Sequence, residues 1–118
     1  MAKVLVVDDA GFVRRWCQRT LTDNGHEVFE AANGVEAVQA FQASKPDAVF
    51  LDVTMPVMDG LTALKEIRKL DPDARVAMLT AEGQLNVVLE ARKLGAKDFI
   101  IKPCEAPRLL AALQRILS

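Results

Sequence analysis

Along this chain, short apolar runs rich in β-branched residues alternate with segments whose apolar residues recur every three to four positions, and the alternation repeats five times. The runs predict strands at 3–7, 27–31, 48–51, 75–79 and 98–101. Four of them are almost continuously apolar, the pattern of strands covered on both faces. The second, "EVFEA", interrupts its apolar residues with Glu27 and Glu30 and reads as an edge strand.

The helical stripes fall between these runs. Val13, Trp16, Cys17, Thr20 and Leu21 mark a first helix, with Gly25 as its stop. Val35, Val38 and Phe41 mark a second that ends before Pro46, and Leu61, Leu64 and Ile67 mark a third that Asp59 can cap. Leu85, Val88 and Leu89 with Gly95 after them give a fourth. Pro107 opens a fifth, striped by Leu109, Leu110, Leu113, Ile116 and Leu117. Strands and helices in this order predict an α/β fold, a doubly wound parallel sheet of five strands and five helices.

Composition narrows the picture. At 118 residues the chain is one domain, expected to span 1–118, and 51% hydrophobic with 26% charged residues is a globular balance. A net charge of -1 gives no electrostatic reason to expect nucleic acid as a direct partner. No apolar run approaches a membrane span, and "MAKVLVVDDA" is no signal peptide, so the chain reads as a cytoplasmic protein with no membrane partner. Cys17 and Cys104 have neither disulfide density nor metal-ligand spacing and read as reduced packing thiols. His26, after Gly25, reads as a solvated loop residue. Arg14, Arg15 and Arg19 form a basic cluster that solvation explains better than docking.

In a doubly wound sheet, ligands bind at the carboxyl ends of the strands. Those ends carry Asp8-Asp9, Asp52, Thr80 and Lys102 followed by Pro103. Each has a bland reading: Asp9 as a helix cap, Thr80 as an ordinary strand terminus, Lys102 as a surface lysine. Jointly they are harder to dismiss. Three crowded carboxylates raise one another's pKa unless a cation neutralises them, and a hard oxygen site with no histidine or cysteine suits Mg2+ and phosphoryl oxygens. An ionised aspartate there is a competent nucleophile toward phosphorus, with Lys102 spreading charge on the transferring group.

The acid pair Asp8-Asp9, "LDVTMPVMDG" around Asp52, "LTAEG" around Thr80 and "KDFIIKP" ending in Lys102-Pro103 together resemble the receiver domains of two-component response regulators, over the whole chain. Among these, the chain is similar to the single-domain chemotaxis regulators. The resemblance implies a flavodoxin-like sheet of order 2-1-3-4-5 and phosphorylation at Asp52. It implies Mg2+ held by Asp9, Asp52 and the Thr54 backbone carbonyl with Asp8 helping through water, and a phosphoryl group contacted by Lys102 and Thr80. Thr80 and Phe99 would form the switch, Thr54 and Glu82 would set phosphoryl lifetime, and the Lys102-Pro103 bond would be cis. The implied phosphodonor is a sensor histidine kinase. The implied reader is a downstream protein such as a flagellar motor switch protein, on the face of helix four, strand five and helix five, with the chain itself a monomer and no enzyme beyond its own phosphorylation and dephosphorylation. Two departures stand out: Phe99 where the family often has tyrosine, and Cys104 where phenylalanine is commoner.

Three rival readings remain. The receiver half of a DNA-binding response regulator, or a phosphorelay intermediate, would share the chemistry and change the output. Helix five ends at Leu117-Ser118 with no linker-like residues beyond, which favours a standalone protein. A haloacid dehalogenase-like phosphatase would need a second acid two residues after its nucleophile, where this chain has Thr54, and room for a cap domain. A nucleotide- or flavin-binding module would need a glycine-rich phosphate loop after the first strand, where this chain has acids.

Overall fold

The computed structural model describes residues 1–81 and 84–118. In chain order its elements are β1 (Lys3–Val7), α1 (Gly11–Asp23), β2 (Glu27–Ala31), α2 (Gly34–Ser44), β3 (Ala48–Asp52), α3 (Gly60–Leu70), β4 (Val76–Ala81), α4 (Leu85–Lys93), β5 (Asp98–Lys102) and α5 (Ala106–Leu117). The strands form one sheet of order β2-β1-β3-β4-β5, and every neighbouring pair is parallel. This is the doubly wound α/β sheet expected from the alternation, in the order the resemblance implied. No helix among the described residues is long and apolar enough to cross a membrane.

Successive strand side chains point to opposite faces, so the apolar runs serve two cores at once. Val4, Val6, Phe50, Leu79 and Ile100 pack against Cys17 and Leu21 of α1 and against Leu109, Leu113 and Ile116 of α5. Leu5, Val7, Leu51, Val76 and Met78 pack on the other side against Phe41 of α2, Leu64 and Ile67 of α3, and Ala91 of α4. Cys17 is buried, which pushes its thiol up to about 12, and both cysteines are free thiols.

The differences from the sequence reading are local and have physical causes. β3, β4 and β5 run on through Asp52, Ala81 and Lys102, because ladder pairing of Asp52 with Leu79 and of Ala81 with Lys102 is indifferent to side-chain polarity. β5 is a second edge strand, with Ile101 exposed, and not a strand covered on both faces. On α2 the buried face is Gly34, Ala37 and Phe41, leaving Val35 outside; on α4 Leu89 is exposed while Val88 and Ala91 face inward. Small and large apolar residues share these faces, because the turn-by-turn rotation of each helix, and not side-chain size alone, decides which positions meet the sheet. His26 is not simply solvated: its Nδ1 accepts from the Ala2 N–H at 3.0 Å, and burial together with the nearby N-terminal charge lowers its pKa. Arg14 turns inward, donating to the Asp8 carbonyl at 2.6 Å and pairing with Glu30 at 3.4 Å, while Arg15 and Arg19 stay exposed.

The connection after β3 brings α3 close against the end of that strand. Asp59 caps α3 by accepting from the Thr62 N–H at 2.8 Å, and the Gly60 N–H donates to the Val53 carbonyl at 2.9 Å. A Cβ at Gly60 would overlap the Asp52 carbonyl oxygen and lie 2.8 Å from Val53 Cα, both backbone atoms that cannot step aside. Gly60→Ala is therefore expected to lower folding stability by about 1–3 kcal/mol or more, as overpacking does. Urea denaturation checks this, and a variant as stable as the wild type would mean that α3 is free to move away from β3.

Candidate functional site

Side-chain alternation assembles the site. Val6, Phe50 and Ile100 face α1 and α5, so Asp8, Asp52 and Lys102, each two residues on, are set toward the same side at the carboxyl edge. Thr80 is two residues past Met78, which faces α3 and α4, and belongs to the opposite side. Three charges thus share one side and the hydroxyl takes the other.

The geometry follows. Asp8 is fully buried and Asp52 is 4% exposed, while Lys102 is half-buried. The Lys102 ammonium donates to Asp8 Oδ2 at 2.9 Å and to Asp52 Oδ1 at 3.0 Å. Asp8 Oδ1 accepts from the Ala10 N–H at 2.9 Å, so both of its oxygens are engaged. No donor other than Lys102 among the described residues reaches Asp52, which leaves its second oxygen available as a nucleophile. Asp9 is exposed and does not cap α1, whose N-cap is Ala10 without a side-chain bond. The Lys102-Pro103 peptide is cis, as the resemblance implied.

Burial is the main force pushing the Asp52 carboxyl up to about 6; the Lys102 bond pulls it down, and Asp8 and Asp9 push it up. Burial works against the Lys102 ammonium, but its bonds to Asp8 and Asp52 outweigh that and leave its pKa raised. Carboxylate oxygens of Asp8, Asp9 and Asp52 lie within 4.8 Å of one another. One ammonium does not balance three carboxylates, and an all-oxygen donor set matches a hard divalent cation, so these residues fit Mg2+.

On the opposite side, Thr80 is buried and its hydroxyl lies 3.1 Å from Gln84 Oε1 and 3.2 Å from the Ala81 carbonyl. Gln84 Nε2 donates to the Thr54 hydroxyl at 2.9 Å. Thr54 itself is exposed. Gln84 was not singled out from the sequence; the only signal is a long amide four residues after Thr80, and no pattern tells where such an amide folds back. Phe99 is partly buried against the α3 and α4 side, and its carbonyl accepts from Arg108 at 2.6 Å. Glu82 lies outside the described residues. The apolar groove of about 420 Å³ between α2 and α3, lined by Val35, Val38, Met58 and Leu70, contains none of these groups.

Comparison with known proteins agrees with this geometry. A family profile described as response regulator receiver domain matches residues 4–114. Chemotaxis protein CheY of Bacillus subtilis is 48% identical over 98% of this chain and 98% of its own length. Sporulation initiation phosphotransferase F of the same organism is 34% identical, over 98% of this chain and 93% of its own length. Among solved structures, chemotaxis protein CheY4 of Vibrio cholerae superposes with a TM-score of 0.94 at 39% identity, covering 99% of both chains. CheY in the CheX-CheY-BeF3-Mg complex of Borrelia burgdorferi gives 0.93 at 36% identity, over 98% of this chain and 89% of that one. NtrX of Brucella abortus gives 0.94 at 37% identity over 98% of this chain, which spans only 27% of the NtrX chain.

The raised Asp52 carboxyl has a stability consequence with a definite sign. Between about pH 4 and pH 6 the folded chain holds a proton at Asp52 that the unfolded chain has released. Stability therefore falls as pH rises through that window, and the loss persists above it. Asp52→Asn cannot ionise and escapes the loss, so in chelator the variant is expected to gain on the wild type by about 2 kcal/mol between pH 4 and pH 7. Urea midpoints across that range read the gap directly; a gap that does not change with pH would contradict the assigned ionisation.

Proposed function

The chain belongs to the response regulator receiver domain family, and from that premise we propose that Asp52 accepts a phosphoryl group from a sensor histidine kinase and passes the signal on through a changed protein surface. Receiver domains of this family take phosphate from histidine kinases, bind Mg2+ at an acidic aspartate cluster and bind downstream targets; they are signalling proteins and not enzymes in the ordinary sense. The observation that carries the assignment to Asp52 is its single engaged oxygen: Lys102 holds one at 3.0 Å, whereas Asp8 has both engaged.

The unengaged Asp52 oxygen attacks phosphorus, the donor's phosphorus–nitrogen bond breaks, and its electron pair stays on the departing imidazole. The product is an aspartyl phosphate. Lys102 orients the carboxylate and neutralises charge on the phosphoryl oxygens, and the rigid end of β3 aims the attack. Asp9, Asp52 and the Thr54 carbonyl would hold Mg2+, with Asp8 through water, and the ion would supply further positive charge against the phosphoryl oxygens. Thr80 then turns toward the phosphoryl group, Phe99 repacks, and the face of α4, β5 and α5 presents the result.

The output we propose is chemotaxis, with a flagellar motor switch protein as reader and the chain acting as a monomer in the cytoplasm. Support comes from the chemotaxis relatives, which match this chain over nearly their full length. The Borrelia relative carrying BeF3 and Mg supports the phosphoryl and metal chemistry. A receiver half of a larger regulator, or a relay intermediate, is the second reading; NtrX and the sporulation phosphotransferase favour it.

Incubation with acetyl phosphate and Mg2+ is expected to add one phosphoryl mass to the wild type and none to Asp52→Asn; a variant labelled at the wild-type rate would displace Asp52 as acceptor. The lifetime of that product is expected to change several-fold in Thr54→Ala and in Glu82→Ala, roughly one kcal/mol of barrier. Decay identical to the wild type in both would remove these residues from the path of the attacking water.

A further inference from the structure

One side chain, Gln84, joins parts of the site that lie on different elements. Its Oε1 accepts from the Thr80 hydroxyl at 3.1 Å and from the Ala81 N–H at 3.0 Å, and its Nε2 donates to the Thr54 hydroxyl at 2.9 Å. The same residue starts α4. Its main-chain carbonyl accepts from the N–H groups of Val87 and Val88 at 3.1 and 3.2 Å, while its side chain gives α4 no capping bond. The amide thus reaches back to the end of β4 and across to the loop after β3, instead of serving its own helix.

We propose that Gln84 is a positioning residue that latches the Thr80 and Thr54 hydroxyls in the resting chain, so that Thr80 must give up the Gln84 amide in order to bond a phosphoryl oxygen on Asp52. A threonine hydroxyl has one proton to donate, and in the resting chain Gln84 Oε1 at 3.1 Å and the Ala81 carbonyl at 3.2 Å compete for it. Thr80 is 2% exposed, so water is a poor substitute partner, and the exchange is one bond for another. Gln84, in contrast, is only partly buried, and once released its amide can be solvated. The latch therefore biases the resting population without making the switched one inaccessible. Because Gln84 is also the residue from which α4 starts, its release acts directly on the first turn of that helix. The second half of the proposal rests on Asp52 as phosphoacceptor; the latch itself rests only on the bonds among Thr54, Thr80, Ala81 and Gln84.

The test uses the full chain with Gln84→Leu, which keeps bulk without hydrogen bonds, and Gln84→Glu, which keeps an acceptor for Thr80 and Ala81. Without any phosphoryl mimic, the Thr80 methyl resonance is expected to move in Gln84→Leu and to stay near the wild-type position in Gln84→Glu. With Mg2+ and beryllofluoride, Gln84→Leu is expected to bind the mimic about five-fold more tightly than the wild type, the worth of about one neutral hydrogen bond. An unmoved Thr80 methyl in Gln84→Leu, or mimic binding no tighter than the wild type's, overturns the latch. Should the wild type itself fail to bind beryllofluoride, the phosphoacceptor reading falls separately, and a urea double-mutant cycle of Gln84→Leu with Thr80→Val still decides the latch. Non-additive stabilities support it, and additive ones overturn it.

Discussion

The ammonium of Lys102, held between Asp8 and Asp52 at 2.9 and 3.0 Å, is the interaction on which the site depends. Asp8 is fully buried, and an ionised carboxylate in that position is tolerable only with a partner of opposite charge and bonds to its remaining lone pairs. Lys102 and the Ala10 N–H supply both. The contact also spans the sheet. β1 and β3 are neighbours, but β5 is the far edge, with β4 between, so the lysine reaches past the end of β4 to pair with both acids. β4 contributes no charge to this edge, and its terminal hydroxyl is turned to the other face.

That division organises everything above the sheet. The side shared with α1 and α5 carries the acids and the lysine, where a cation and a phosphoryl group would be received. The side shared with α3 and α4 carries Thr80, with Gln84 and Phe99 close by in the chain or the sheet. The proposed phosphoacceptor and the hydroxyl of the proposed switch thus lie on opposite faces of a layer one residue thick. The link between them is backbone: Asp52 pairs with Leu79 in the ladder, and Thr80 is the next residue. A group arriving at Asp52 is within a strand's width of the hydroxyl that the proposed switch would use.

Much of this was legible in the chain, and what was not has a common cause. Four of the five strands were readable because buried parallel strands are almost uniformly apolar, the second by its polar interruptions at Glu27 and Glu30, and the acids at strand ends because a carboxylate after an apolar run is chemically out of place. The same polarity shortened the predicted strands, since Asp52 and Lys102 look like loop residues until their ladder partners are known. Hydrophobicity alone places Val35 and Leu89 on buried stripes, whereas the positions that meet the sheet are Ala37 and Phe41 on α2 and Val88 and Ala91 on α4. His26, Arg14 and Gln84 were missed or misread for one reason: each bonds across the fold, to Ala2, to Asp8 and Glu30, and to Thr54. A polar side chain's partner is set by the third dimension, and periodicity carries no record of it.

The shared parity of Asp8, Asp52 and Lys102 also decides which genetic lesions the domain survives. Losing one codon upstream of Asp52 within β3 would turn its carboxylate to the α3 and α4 side, away from the lysine, and would invert the apolar residues of that strand at the same stroke. Losing two would restore the phase but draw the carboxylate back by about 6–7 Å along the strand, below the edge where Lys102 waits. A change in gene length is better absorbed where no strand phase is set, as at residues 72–73 between α3 and β4, ahead of the Ala74 and Arg75 carbonyls that bond Arg68 and Val49. There an in-frame loss shortens a connection and leaves every charge on its own face.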